Sequence, residues 1–122
     1  MADTTRRLAG TAYLFVDGTS YMLAGDFMYS PTKVERETLI GMDAVHGYSE
    51  KPAVAYVSGK IRDSGGLKVS SINAMSDVTV TVELANGKTI IARNAWTIEP
   101  PVVNTVDGTF DVRWDALSVT EA

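Results

Sequence analysis

The sequence lacks cysteine altogether and has one histidine and four prolines among its 122 residues. Without cysteine the chain can build neither a disulfide framework nor a thiolate metal site, and it suits a reducing cytoplasm. No segment approaches the run of about 18–20 apolar residues that spans a bilayer, and no apolar stretch follows the two arginines of the N-terminus, MADTTRRLAG. We therefore expect neither membrane insertion by this chain nor a secretory signal.

Clustered basic charge is also missing. The formal net charge is −4, from 11 basic and 15 acidic residues, and the basic residues are scattered along the chain. A protein that grips DNA needs a clustered basic face, so we expect any contact with DNA to be weak or repulsive. The length predicts one domain, residues 1–122, and 45% hydrophobic residues suffice for a folded core.

Most of the remaining sequence has strand character. Residues 12–23 form two strand-prone runs around Asp17-Gly18, and residues 78–93 do the same around Asn86-Gly87. Both dipeptides favour type I′ hairpin turns. A two-residue turn at the second site would pair Glu83 with Ile90. One face of that hairpin would then carry Val78, Val80, Val82, Leu84 and Ile91, and the opposite face Thr79, Thr81, Glu83 and Lys88.

Further strands follow from alternation. Residues 109–116 alternate apolar and charged positions and predict a strand with Trp114 in the core. Residues 53–61 are apolar on both faces and predict a central strand, whereas residues 34–40 fit either an exposed strand or a loop arm. Trp96, at the end of the second hairpin, fits either a core or a surface position. Pro100-Pro101 marks a loop before the last strand.

One short helix completes the prediction, at residues 67–75. Asp63 or Ser64 would cap its start, and one face would carry Leu67, Ser71, Ile72 and Met75. The predicted fold class is therefore mainly β: an antiparallel β-barrel or sandwich with one short flanking α-helix.

Catalytic and metal-binding chemistry is not expected. Asp43, His46 and Ser49 have the residue types of a triad, but triad members normally converge from different elements. We interpret His46 as a hydrogen-bonded structural residue of the Gly41–Tyr48 turn. Asp111 and Asp115 are strand neighbours without calcium-loop spacing, and Gly65-Gly66, which no glycine-lysine-serine element follows, predicts a tight turn. We expect no cofactor and no enzymatic activity.

Three segments of the chain resemble a known family. They read GMDAVHGYSEKP, SGKIRDSGGLKVSSINAM and VTVTVELANGKTIIARNAW, in that order. Together, from about Phe27 to Trp114, they are similar to the tail tube protein of Mu-like contractile-tailed (myovirus) bacteriophages. The resemblance implies a small β-barrel or sandwich with a flanking helix, without catalytic residues.

The resemblance also implies an assembly. Six subunits would join into a ring, and rings would stack into a tube inside the contractile sheath. The tube would be mounted on a baseplate, and its lumen would conduct DNA transiently to the host. The protein would be part of the virion tail, assembled in the bacterial host cytoplasm. The alternatives are the tube of a phage-derived bacteriocin or type VI-like system, and a monomeric small-ligand-binding β-barrel with an apolar pocket.

Two surfaces are predicted to serve this assembly. The polar hairpin face, with Thr79, Thr81, Glu83 and Lys88, would face the lumen. Residues 32–50 are long and charged for a connector and predict an inter-subunit arm or loop. The predicted contacts there are Glu35, Arg36, Glu37 and Tyr48, and residues 1–9 are predicted to be a flexible N-terminus.

Overall fold

The computed structural model describes residue 6, residues 10–64 and residues 67–122, with Asp26 described by its backbone alone. In this part of the chain, strands form one eight-stranded sheet and one separate two-stranded sheet. The elements are β1 (Ala12–Val16), β2 (Thr19–Tyr21), β3 (Leu23–Ser30), β4 (Val34–Ile40), β5 (Val45–Pro52), β6 (Ala55–Arg62), α1 (Val69–Asn73), β7 (Val78–Leu84), β8 (Thr89–Thr97), β9 (Val103–Asn104) and β10 (Thr109–Glu121).

The large sheet curls into a nearly closed antiparallel barrel. Its strand order is β2-β1-β7-β8-β10-β6-β3, with β9 paired to β10, and β1 contacts β3 across the seam. The long strand β10 runs between β8 and β6 and pairs with both. The predicted mainly β fold with one short helix is confirmed. Among the described residues, no helix is long and apolar enough to cross a membrane.

The first predicted hairpin is confirmed in detail. β1 pairs with β2 across a turn in which Asp17 has φ 49° and Gly18 has φ 85°, the two positive values that a type I′ turn requires. The Asp17 carboxylate also accepts a hydrogen bond of 2.9 Å from the backbone N–H of Thr79. This bond ties the turn to the start of β7.

The second hairpin exists, but its predicted register is wrong by one residue. β7 pairs with β8 so that Val82 lies opposite Ile90 and Glu83 opposite Thr89. The loop has three residues, 85–87, because only Gly87 takes a positive φ there, at 89°, as in a type I turn followed by a left-handed residue. Ile90 and Ala92 therefore face the core, and Ile91, predicted to be in the core, lies opposite Thr81.

The barrel interior is filled by side chains. Strict alternation on β10 buries Phe110, Val112, Trp114 and Ala116, as predicted. β6 buries every second residue and has neighbours on both sides, which confirms its central position. The packed cluster consists of Leu14, Val16, Ala55, Val57, Ile61, Ile72, Val80, Val82, Ile90, Ala92, Ala95, Phe110, Val112, Trp114, Ala116 and Val119.

The helix is shorter than predicted, and its predicted cap is wrong. It spans five residues, its N-cap is Lys68, and no side chain caps it. Ile72 is buried, but Ser71, predicted on the same face, is exposed. The hydroxyl of Thr97 donates to the carbonyl of Ile72 over 2.7 Å, so β8 holds the helix where a cap does not. The Gly65-Gly66 turn and the N-terminal segment 1–9, apart from Arg6, lie outside the described residues.

Candidate assembly surfaces

Strands β4 and β5, with the loop at 41–44 between them, form a hairpin that we call the arm. The arm continues the β3–β6 pair beyond the barrel: at its base the N–H of Ala53 donates to the carbonyl of Lys33 over 2.8 Å. Every residue of both arm strands is exposed. A two-stranded hairpin is marginally stable alone in water, so a fully exposed one is suited to be covered by a partner.

Cross-strand pairs hold the arm together. On one face, Arg36 Nε lies 3.1 Å from Glu50 Oε1, and the Arg36 guanidinium stands 5.5 Å from the ring centroid of Tyr48. On the other face, Lys51 Nζ lies 3.7 Å from Glu35 Oε2. These pairs are solvent-exposed and each stabilises the arm by no more than about 1 kcal/mol. They fix its register and leave a strip of alternating charge on its surface.

The arm turns at its far end through a local cluster around His46. His46 is the extra residue of a β-bulge between the pairs Leu39/Gly47 and Ile40/Val45. Its Nε2 lies 2.7 Å from Asp43 Oδ1, and its ring covers Gly41, where an added Cβ would stand 2.0 Å from the ring. Gly41 is therefore the residue that lets the ring lie across the turn, and the hydrogen bond predicted for His46 in this turn is confirmed.

The contact with His46 lowers the pKa of the Asp43 carboxyl group. The hydrogen bond from His46 holds the pKa of Asp43 below its ordinary value of 3.8, with further help from backbone N–H groups. Because the pKa of Asp43 is lower in the folded arm than in the unfolded chain, the hydrogen bond stabilises the arm at pH values above the unfolded pKa. That stabilisation is lost as the pH falls through the folded pKa. The turn is therefore expected to loosen only in strong acid.

The same end of the arm is apolar. Four large hydrophobic side chains there are exposed, and the sequence analysis did not single them out because they follow neither a helical nor a strand period. We call residues 39–46 the arm tip; its exposed hydrophobic members are Leu39, Ile40, Met42 and Val45. Exposed clusters of this kind mark interaction sites.

A second candidate surface is the outer face of β7, opposite the core. Thr79 and Glu83 are exposed there and Thr81 is half-buried. Their neighbours across the strands include Phe15 on β1 and Ile91 on β8, both opposite Thr81. The face is thus polar along β7 and more apolar on either side of it.

Lys88 does not belong to that face. In the observed register Lys88 lies opposite Leu84, and the backbone N–H of Leu84 donates a hydrogen bond of 2.9 Å to the backbone carbonyl of Lys88. Lys88 therefore stands at the end of the barrel. Its Nζ lies 2.5 Å from Glu121 Oε2. The hydrogen bond to Glu121 raises the pKa of Lys88 above its ordinary value. The predicted grouping of Lys88 with Thr79, Thr81 and Glu83 followed from the wrong register.

Comparison with known proteins identifies this architecture. The profile of the phage tail tube protein family matches residues 5–121. The Mu-like prophage FluMu tail tube protein of Haemophilus influenzae is 30% identical over 90 residues, which are 74% of this chain and 75% of that protein. The chain belongs to the Mu-like phage tail tube family. The resemblance drawn from its three sequence segments is confirmed.

Solved structures share the fold of this tail tube protein. The sheath–tube complex of the PVC extracellular contractile injection system, in its extended state, has a TM-score of 0.62 at 11% identity, over 98% of this chain and 94% of that chain. The tube-terminating cap of the anti-feeding prophage has a TM-score of 0.61 at 12% identity, over 100% and 99%. The PVC sheath/tube terminator has 0.60 at 12%, over 91% and 92%.

The other sites considered from the sequence of this tail tube protein have structural explanations. Among the described residues, no group of three metal-ligating side chains converges, and the His46 ring hydrogen-bonds to Asp43 and not to Ser49. Asp115 accepts a hydrogen bond of 3.0 Å from Arg113, which stacks 3.9 Å from the ring centroid of Tyr56. Trp96 is half-buried.

Replacing His46 with alanine tests the structural role of the ring. We expect the pKa of Asp43 to rise toward 3.8, because its main stabilising hydrogen bond is lost, while the urea unfolding midpoint of the barrel stays unchanged. The measurement is an NMR titration of the Asp43 carboxyl carbon. Ser49→Ala, on the same strand, should leave that titration as in the wild type. Stoichiometric zinc that copurifies with the wild type and is lost in the variant would contradict this role.

Proposed function

We propose that this chain is the subunit of the inner tube of a contractile phage tail, assembled as stacked rings of six whose lumen conducts viral DNA into the host. Its sheath and baseplate would be the other partners, and the subunit would act without cofactor or catalysis, in a virion tail put together in the host cytoplasm. The observation that carries the proposal is the arm, a fully exposed hairpin with an apolar tip on a barrel whose own core is complete.

The arm supports contact between rings. Burial of an apolar tip favours association by roughly 25 cal/mol for each Å² removed from water. The alternating charges along the arm would fix how the arm aligns with the neighbouring subunit. Its proposed contact residues are Glu35, Arg36, Glu37 and Tyr48. Arg36 and Tyr48 already stack on one another, so they can present one continuous surface to a neighbour.

The outer face of β7 supports a lumen wall. Thr79, Thr81 and Glu83 are proposed to line it, because they offer hydroxyls and a negative charge and no cation. A wall that repels phosphate lets DNA slide, whereas a basic wall would hold it. The net charge of −4 is consistent with such a conduit.

A second candidate function is the tube of a phage-derived bacteriocin or related injection system. The fold shared with the sheath–tube complex of the PVC extracellular contractile injection system and with the tube-terminating cap of the anti-feeding prophage favours it, and the neighbouring genes would separate it from a phage tail. The monomeric ligand-binding barrel is disfavoured, because packed side chains fill the barrel interior.

Electron microscopy of the purified protein tests the assembly, with hollow rings or tubes expected. Monodisperse single subunits at every concentration would contradict it.

Cysteine labelling then tests the lumen wall. Thr79→Cys should react with a bulky maleimide slowly in tubes and fast in subunits, because the lumen restricts access. The exposed Thr105, replaced in the same way, serves as the matched control in the loop at 105–108. Equal labelling rates of Thr79→Cys in both states would show that the outer face of β7 does not line the lumen.

A further inference from the structure

The loop between β7 and β8 holds the only asparagine of the sequence that glycine follows. The chain has four asparagines, at positions 73, 86, 94 and 104, and the residues after them are alanine, glycine, alanine and threonine. Asn86 and Gly87 are both exposed. The loop therefore joins an accessible side-chain amide to the residue that hinders its own backbone nitrogen least, since glycine has no Cβ.

An asparagine amide in this setting reacts with its own backbone. The backbone nitrogen of the next residue, once it has lost its proton, attacks the side-chain carbon Cγ. A C–N bond forms, the Cγ–Nδ2 bond breaks, ammonia leaves, and a five-membered succinimide ring remains. Water then opens the ring. Cleavage of the new C–N bond gives aspartate, and cleavage of the original peptide bond gives isoaspartate. One water is consumed and one ammonia is released, without oxidation or reduction.

The loop holds the Asn86 amide close to the attacking nitrogen. Asn86 Oδ1 accepts a hydrogen bond of 3.1 Å from the backbone N–H of Lys88, which folds the side chain back over the Gly87 peptide as in an Asx turn. The same donor polarises the carbonyl that is attacked and stabilises the negative charge that develops on Oδ1. One bond opposes the reaction: the N–H of Gly87 donates to the carbonyl of Leu84 over 3.1 Å. Loss of this single bond, in an exposed loop, frees the nucleophile.

Two other asparagines are held in regular structure. Asn73 is the last residue of α1, and the backbone N–H of Ala74 donates a hydrogen bond within the helix. Asn94 Nδ2 donates to Asp77 Oδ1 over 2.9 Å, so the side chain is bound across to a neighbouring element. The residue after it, Ala95, is fully buried in β8. Neither amide is free to reach the next backbone nitrogen.

Asn104 provides the informative comparison, because it shares the local fold of Asn86. Its Oδ1 accepts a hydrogen bond of 3.0 Å from the N–H of Val106, again two residues further along the chain. Two features differ. Its Nδ2, the leaving group, is held 3.3 Å from Asp107 Oδ2, and the next residue is Thr105, whose branched Cβ crowds the nitrogen. The structure thus separates Asn86 from a site with the same turn.

We propose that Asn86 is a site of spontaneous covalent modification, at which the folded protein converts this residue to aspartate and isoaspartate without an enzyme. The reaction adds a negative charge at the end of the barrel, next to the ion pair of Lys88 with Glu121. Isoaspartate also lengthens the backbone of the short loop that sets the β7–β8 register. The proposal is independent of the proposed tube function.

Peptide mapping by mass spectrometry tests the proposal on the native protein, aged in mildly alkaline buffer. The peptide that contains Asn86 is expected to convert progressively to two acidic products, and the peptides with the other three asparagines should stay unchanged. The rate should rise with pH, because the deprotonated nitrogen is the nucleophile. A protein isoaspartate methyltransferase identifies isoaspartate among the products. Asn86→Gln is the matched control and should give no acidic product there, since glutamine would have to close a six-membered ring.

A gain of reaction at the comparison site tests the structural reason. Thr105→Gly removes the branched side chain beside Asn104, and conversion of Asn104 in this variant but not in the wild type would support the account. Circular dichroism checks that each sample remains folded. If Asn86 stays intact in the folded protein and converts only in urea, the loop protects it and the proposal is overturned. Similar conversion of all four asparagines would also overturn it, because that result reflects unfolding.

Discussion

Reversing the charge of Arg36 to glutamate is expected to give a folded subunit that forms no tubes. The substitution breaks the 3.1 Å contact with Glu50 and the stacking on Tyr48, and it puts like charges directly opposite each other on two paired strands. The barrel core contains no arm residue, so circular dichroism and the urea unfolding midpoint should match the wild type. Electron microscopy measures the loss of tubes.

Two companion variants define the cause. Lys68→Glu makes the same change of charge at an exposed residue beside the helix and should still polymerise. Arg36→Glu/Glu50→Arg restores an ion pair within the arm. If Arg36 contacts a neighbouring ring, that double variant stays defective. Tubes of normal length from Arg36→Glu itself would show that the arm has another role.

Truncating Trp114 to alanine is expected to be the most destabilising single change. Trp114 is 1% exposed, is among the largest fully buried side chains, and belongs to the cluster that fills the barrel. Removing a large buried aromatic side chain costs about 3–5 kcal/mol, against a total stability of about 5–15 kcal/mol for a domain of ordinary stability. Urea unfolding followed by fluorescence or circular dichroism should show a large fall in the midpoint.

Trp114→Phe separates packing from polarity. Among the described residues, the indole Nε1 of Trp114 is buried without a hydrogen-bond partner, and an unpaired buried donor costs free energy. Phenylalanine removes that donor and keeps most of the ring contacts, so it should lose far less stability than alanine. Leu117→Ala, exposed on the same strand, should change stability by less than about 0.5 kcal/mol. Equal losses for alanine and phenylalanine would contradict this account.

The β-strands were predictable where a local rule acts alone. Alternation on β10 dictated which side chains enter the barrel, and Asp17-Gly18 dictated a turn whose two positive φ values are both observed. The dipeptide Asn86-Gly87 predicted the same type of turn, but only Gly87 takes a positive φ and Asn86 does not. A turn of three residues then moved residues 88–92 to the opposite face, which misplaced Lys88 and Ile91.

Features that depend on the rest of the molecule were less predictable. The helix is held by a hydrogen bond from Thr97, 25 positions away from Ile72, so local capping signals at Asp63 and Ser64 misled. The arm gives no burial pattern at all, which is why residues 34–40 fitted a strand and a loop equally.

The pairing within the arm has a kinetic and thermodynamic consequence for polymer growth. Seven residue pairs join β4 to β5 before any neighbour is met. A segment that orders only on contact adds its lost conformational entropy to the free energy of association, whereas a pre-organised one does not. In the proposed tube, the arm therefore lowers the critical subunit concentration and lets each incoming copy add without a folding step. Substitutions that fray the arm should raise that concentration even where the docking contacts are intact.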